Sequence, residues 1–525
     1  MSERLLGIET EYGLAASANG TRPRDYESCA EDLLRLATKR YPFIPSLNGT
    51  GMFLTNGARF YIDSGQHPEF CTPEVNNPWD VVRYIHAGDE FLHRLANELA
   101  TRRNGTETIL FKCNVDYRTG ATWACHENYG HHANPQHLPN QIIPHLVSRI
   151  IYTGAGGLNP FSNAIEFCLS PRVHHLEHIT SPSSTNARGI YHLKDETLSS
   201  SGWHRLHILC GESLCSQLGA WLKAGTTALV VALVEAGLRP GEAVQFRDPL
   251  DAMRCFNADP LCRSSAKLMD DRLVTALDVQ RHYLAFVEQH RGDPCLPAWA
   301  PQVCEAWRDI LNRLERGPAA VATRLDCAMK RTLYLDHIEH RGFKPEEIAT
   351  FNRASAVPSR PPPPLRRDSL LAMLAEHRVV APEPPKPAPP PKCTGLSEAQ
   401  CRELSKVRLE LCELDVRFGQ LGPKGIFAAL DRAGLLQHRL PEISPQSVSD
   451  AVSEPPPSGR ARVRGQMVKL FAGRPGYLCD WSGVMSGDGE VLDLSNPLQQ
   501  EMPEWKRGQI HWPAQRPPAP TDVLV

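Results

Sequence analysis

Apolar and polar residues alternate with a period of two from Leu5 to Gly13, placing Leu6, Ile8 and Tyr12 on one side and Glu9 and Glu11 on the other. The pattern predicts a strand with one packed face and one carboxylate-bearing face. A second strand is predicted at 59–63, with Phe60 and Ile62 inward and Arg59, Tyr61 and Asp63 together on the opposite face. Glu69 follows six residues on, after a His67-Pro68 turn. Strand-like and helix-like segments then alternate up to about residue 350, between turns rich in Gly, Asn and Pro, which predicts one continuous globular block.

From about Val357 to Lys392 proline takes over, with the runs 361–364 and 382–391 enclosing a short helical pattern at 369–377, and the segment reads as an extended tether. Helical spacing returns at Ser397 with Leu404, Val407, Leu411 and Leu414, followed by the Gly422-Pro423-Lys424-Gly425 turn and further helix. The expected organisation is a large domain over 1–355, a Pro-rich linker over 356–396 and a small C-terminal domain over 397–525 that closes on a second Pro-rich tail. No internal repeat is visible. A chain of 525 residues is long enough for more than one core.

The formal net charge of -2 gives no global pull toward nucleic acid or an anionic membrane, so neither partner is expected. The 16 cysteines lack a C-x-x-C pair or zinc-knuckle spacing, and Cys168 and Cys210 sit in apolar runs, as reduced core thiols of a cytoplasmic protein would. Met1-Ser2-Glu3-Arg4 shows no apolar signal region, and the run from Ala228 to Val234 is far shorter than the roughly 20 residues of a membrane span. A soluble protein with a buried helix at that run is expected.

The two polar strand faces change the picture most. Glu9, Glu11, Asp63 and Glu69 offer the hard oxygen ligands that magnesium prefers when it carries nucleotide phosphates, and Arg59 offers a fork that grips a phosphate. Either strand alone is more simply an amphipathic strand with a solvated face, and pattern leaves both readings open. His126, in Cys125-His126-Glu127-Asn128-Tyr129, and His207, in Arg205-Leu206-His207, are metal ligands or hydrogen-bonded structural histidines. Arg460, Arg462 and Arg464 alternate as a basic strand face would, for an anion or simply for solvent. Trp481, beside Asp480, suits stacking on a base or packing in a core.

Taken together, Gly-Ile-Glu-Thr-Glu-Tyr-Gly (7–13), Asn-Gly-Ala-Arg-Phe-Tyr-Ile-Asp (56–63) and His-Pro-Glu-Phe (67–70) resemble the Pup ligase and Pup deamidase family, relatives of glutamine synthetase and other carboxylate-amine ligases. The likeness continues through 126–129, 205–207, 223–230, 276–281, 425–427, 460–465 and 480–481 and spans nearly the whole chain except the tether. It implies an α+β fold, with a glutamine-synthetase-like large domain whose antiparallel sheet cradles ATP and a small C-terminal α/β domain contributing to the nucleotide site. It also implies Glu9, Tyr61 and Glu69 as the magnesium site, Glu11, His126 and His207 as additional ligands, Arg59, Thr72 and Trp481 as ATP contacts, and Asp63 as the catalytic aspartate. The implied reaction is phosphorylation, by ATP with Mg2+, of a C-terminal glutamate side chain on a Pup-like small protein, followed by attack of a lysine of a protein substrate.

The short interval from Gly13 to Asn56 and the stretch Phe167-Cys168-Leu169-Ser170 resemble the ligase branch, whereas Leu54-Thr55-Asn56-Gly57 leans toward the deamidase. Lys194 stands where the family usually has arginine, and Glu212 and Leu214 replace its usual Asp and Asn. These departures, with the tether, leave a deamidase or depupylase and a non-catalytic ATP-binding scaffold as the rival readings.

Overall fold

The computed structural model describes residues 4–18, 26–63, 65–102, 106–183, 187–196, 198–200, 202–355 and 395–507. The helical pattern expected at 369–377 and most of the Pro-rich linker lie outside the described residues.

Seven strands build the central sheet: β1 (Leu5–Glu11), β2 (Phe43–Pro45), β3 (Met52–Leu54), β4 (Arg59–Ile62), β5 (Pro68–Cys71), β6 (Cys125–His131) and β7 (His204–Ile208). Their order is β7-β6-β1-β5-β4-β3-β2, and every neighbouring pair is antiparallel. Alternation in β1 comes out as expected, with Leu6, Ile8, Thr10 and then Tyr12 buried between partly exposed residues. The packed face meets helix α1 (Pro78–Arg102), whose Phe91 ring lies 5.3 Å from Phe60 and 5.8 Å from Phe70. Beneath β6, helix α2 (Gln217–Glu235) contains the apolar run Ala228–Val234. It is long and apolar enough to cross a membrane, but its whole apolar window is buried within the protein.

Ser397 begins helix α3 (Glu398–Phe418) with a capping box in which its hydroxyl and the Gln400 side chain satisfy each other's backbone N–H groups. Leu404, Val407 and Leu411 of α3 pack with Leu158, Ile165, Tyr334 and Phe351, and Lys330 donates to the buried Asp415 carboxylate. The described residues close with helix α4 (Gly459–Phe471) and a four-stranded sheet of β8 (Leu478–Asp480), β9 (Gly483–Met485), β10 (Glu490–Asp493) and β11 (Lys506–Arg507). Val463, Met467 and Val468 of α4 close over Ile44 and Phe53 of the central sheet's edge together with Cys479, Val484 and Leu492.

Arg460, Arg462 and Arg464 therefore lie on a helix and not on the strand face that their alternation suggested. A helix turns about 100° per residue, so positions four apart share a side while the one between faces away. Arg460 and Arg464 are buried and both pair with Glu74, whereas Arg462 is directed to the backbone of Gln500 at the surface. The 15 described cysteines are free thiols and 12 of them are buried, as the scattered spacing suggested.

Candidate functional site

Directly opposed residues in an antiparallel pair point to the same side of the sheet. Register pairs Glu11 with Glu69 and Glu69 with Tyr61; it also pairs Glu9 with both His126 and Cys71, and Cys71 with Arg59. His207 opposes Asn128, two residues from His126. Glu9, Glu11, Arg59, Tyr61, Glu69, His126 and His207 thus share the face opposite the helices, and Asp63 follows directly on β4. Phe53 opposes Arg59, and the Trp481 ring meets Phe53 edge-on at 5.2 Å, which brings Trp481 to the same face from the turn that follows β8.

The acidic groups are crowded and largely buried. His126 Nδ1 lies 2.9 Å from Glu9 Oε2, Asn128 Nδ2 donates to Glu9 Oε1 at 3.1 Å, and His207 Nε2 is 3.7 Å from Glu9 Oε2. Burial disfavours ionisation of Glu9, but the adjoining His126 and His207 hold its carboxyl well below the usual carboxylate range. Burial pushes Glu69 the other way, well above that range, and the charges of Glu9 and Glu11 add to the effect. Burial likewise raises the Tyr61 hydroxyl, which faces Glu69. Desolvation, with Arg205 alongside, pushes the His207 imidazole down to about 3, so it is neutral at pH 7.

Donor atoms of Glu9, His126 and His207 lie within 4.8 Å of one another, and so do those of Glu11, Asp63 and His67. His207 Nε2 is buried without a hydrogen-bond partner. Carboxylates that oppose one another's ionisation, bordered by an orphaned imidazole nitrogen, are a donor set that a divalent cation satisfies. His67 is the site residue that the sequence reading missed, because the His67-Pro68 pair was taken only as a turn.

The remaining expected residues sit close by. Arg59 lies 4.2 Å over the Tyr61 ring and its Nη2 donates to Thr50 O at 2.9 Å and Asn48 Oδ1 at 3.2 Å, so it is turned toward the 46–51 loop. Thr72 Oγ1 accepts the Ile8 N–H at 3.0 Å and is buried beside Gly7. Trp481 carries the Arg464 guanidinium 4.6 Å from its ring centre. The unusual residues at 212 and 214 are absorbed by packing. Glu212 Oε2 accepts Ala155 N–H at 2.6 Å, Oε1 accepts Arg172 N–H at 3.2 Å, and Leu214 is core. Lys194 is exposed beside Glu196.

An antiparallel sheet with helices on one face and a crowded acidic, histidine-flanked surface on the other makes this an α+β protein whose acidic face gathers candidate cation ligands. The chain belongs to the Pup-ligase protein family, whose model matches residues 4–351 and 393–485. It is 29% identical over 503 residues to Pup–protein ligase 1 of Rhodococcus erythropolis, covering 93% of this chain and 94% of that protein. The Pup–protein ligase of Rhodococcus jostii (strain RHA1) matches with the same identity and coverage. Among solved structures, the ligase PafA in complex with the prokaryotic ubiquitin-like protein Pup matches with a TM-score of 0.71 and 22% identity, covering 95% of this chain and 90% of that one. PafA in complex with ADP matches with a TM-score of 0.66 and 22% identity, covering 92% of each.

Proposed function

We propose that the protein is an ATP-dependent ligase that joins the side-chain carboxylate of a C-terminal glutamate on a Pup-like protein to a substrate lysine as an isopeptide. The observation that carries this reading is the convergence of Glu9, Glu11, Glu69 and Asp63 on one sheet face, beside Arg59, in a chain of the Pup-ligase family. Its relatives named as Pup–protein ligases match over nearly their full length, which supports the ligase branch over a deamidase or depupylase. Glu212 and Leu214 fill structural positions and leave the acidic face intact, which supports a working enzyme over an ATP-binding scaffold.

Glu9, Tyr61 and Glu69, with Glu11, His126 and His207 beside them, would hold Mg2+, and Arg59, Thr72 and Trp481 would hold the nucleotide. Bound there, Mg2+-ATP supplies the phosphoryl group that turns an unreactive carboxylate into an acyl donor with a good leaving group. The protein's own tasks follow from its geometry. Burial opposed by the adjoining histidines leaves the Glu9 carboxyl held down, while burial and the charges of Glu9 and Glu11 push Glu69 up, so a divalent cation there would offset the repulsion among these carboxylates. Arg59 must swing from Thr50 to reach a phosphate, and its stack on Tyr61 leaves the guanidinium at the edge of the acidic face. Asp63, at the open end of β4, takes the proton of the incoming lysine ammonium, which cannot attack until it is neutral.

The test is incubation of the full chain with ATP, Mg2+, a glutamate-ended Pup and a lysine-bearing target. Conjugate and ADP are expected together; absence of both rejects the proposal.

A further inference from the structure

The turn from Asp63 to His67 is closed by three hydrogen bonds and a ring contact. Asp63 N–H donates to His67 O at 3.0 Å, Gln66 N–H donates to Asp63 O at 3.0 Å, and His67 N–H donates to Asp63 Oδ1 at 2.6 Å. The imidazole packs against the same carboxylate, its Nδ1 3.3 Å from Asp63 Oδ2 and 3.7 Å from Glu11 Oε2, as a close contact and not a hydrogen bond. Glu11 Oε2 is itself fixed by the Ala124 N–H at 2.7 Å, and the Trp123 indole lies 5.7 Å from the His67 ring. A Cβ at position 65 would come within 2.8 Å of His67 Cε1, 2.9 Å of Nδ1 and 3.3 Å of Asp63 Oδ1, so glycine there gives the ring room to reach the aspartate.

A carboxylate swivels about a soft, two-fold torsion. One backbone hydrogen bond to Oδ1 leaves that swivel open; a ring set against Oδ2 closes it. We propose that His67 is the positioning residue for Asp63: its imidazole fixes the plane of the carboxylate so that the base meets the lysine ammonium in line with the activated acyl carbon. The inference rests on the ligase reading, in which Asp63 receives the amine's proton. The proton passes from the lysine ammonium to the Asp63 carboxylate, the amine's lone pair forms the C–N bond to the acyl carbon, the C–O bond to phosphate breaks, and the departing phosphate takes the second N–H proton to leave the neutral isopeptide. His67 donates nothing to the product. A base displaced by about 1 Å loses on the order of 100-fold in rate, which sets the scale of the effect.

A purely structural histidine predicts something different, because collapse of the turn would slow every acyl acceptor alike. Hydroxylamine is unprotonated at neutral pH and needs no base to become a nucleophile. The experiment measures transfer from a glutamate-ended Pup, with ATP and Mg2+, to a lysine-bearing target and to hydroxylamine in parallel. Wild type, His67→Ala, His67→Asn, Asp63→Asn and the Asp63→Asn/His67→Ala double variant are compared. His67→Ala is expected to lower transfer to lysine roughly 10- to 100-fold while leaving hydroxylamine transfer near wild type. His67→Asn, which keeps a planar polar group set against Asp63 Oδ2, is expected to recover much of the lysine rate. In the Asp63→Asn background His67→Ala is expected to cost nothing further. Equal losses with both acceptors, full lysine activity in His67→Ala, or additive losses in the double variant overturn the inference. Wild type that forms neither conjugate nor ADP overturns the ligase reading itself, a result separable from all of these.

Discussion

Glu74 joins the C-terminal helix to the central sheet, and neutralising it gives a quantitative test of the packing. Its Oε1 accepts Arg460 Nε at 2.7 Å and its Oε2 pairs with Arg464 Nη2, while Arg464 also donates to Gly57 O and Trp481 O. The Arg464 side chain is fully buried, that of Arg460 is 5% exposed and that of Glu74 17%. Burial opposes the Glu74 charge, but Arg464 and Arg460 outweigh it and hold the carboxyl down at about 2, from an ordinary 4.5. That gap, at about 1.4 kcal/mol per pH unit, corresponds to about 3 kcal/mol of stabilisation. Glu74→Gln mimics the protonated acid and leaves two buried guanidinium groups without a counter-charge, so it should cost about 3 kcal/mol, within the range for breaking a buried pair. The folded pKa is depressed, so the contribution is complete above the unfolded value near 4.5 and is lost as pH falls through about 2. Urea denaturation of wild type and variant at pH 7 should show the full difference, and a series down through pH 4 should show it shrinking. A difference below about 1 kcal/mol at pH 7, or one that grows as pH falls, refutes the reasoning.

Three further outcomes follow from other contacts. Arg149→Leu strands the fully buried Glu127 carboxylate, which Arg149 holds by two hydrogen bonds of 2.5 and 2.9 Å, and should lower stability by about 3–5 kcal/mol in urea denaturation. Gly51 has φ near +80°, and a Cβ there would lie 2.3 Å from Tyr61 Cβ, so Gly51→Ala should cost about 1–3 kcal/mol and displace Tyr61, read as a lower denaturation midpoint together with weaker nucleotide binding. Mg2+ or Mn2+ should raise the melting temperature in a thermal-shift assay by relieving the Glu9 and Glu69 repulsion, chelation should reverse the rise, and Glu69→Gln should show much less of it.

How much of this was legible in the sequence depended on where periodicity carried information. The Leu5–Gly13 alternation placed Glu9 and Glu11 correctly because one face is packed against α1 and a one-residue slip would bury both carboxylates. The same argument placed Arg59 and Tyr61. At 460–464 it failed, since arginines at every second position satisfy a strand face and, at i and i+4, one side of a helix equally well, and only Glu74 across the interface decides. Glu74 itself carried no signal, because its partners lie nearly 400 residues away. His67 was hidden for a different reason: its function lies in a four-residue turn back onto Asp63, a geometry that spacing does not encode but that a Gly65 between two polar residues hints at. The α+β class and the antiparallel sheet were legible through the resemblance, and no single strand would have disclosed them.

The central claim is that this acidic face forms an isopeptide at the expense of ATP. Intact-mass spectrometry of a reaction containing ATP, Mg2+, a glutamate-ended Pup and a lysine-bearing target tests it most directly. The account predicts a species equal to Pup plus target less one water, accompanied by ADP and strongly reduced in Asp63→Asn. Unchanged Pup and target in the presence of ATP would contradict it, as would a parallel reaction on a glutamine-ended Pup whose main product is the glutamate form.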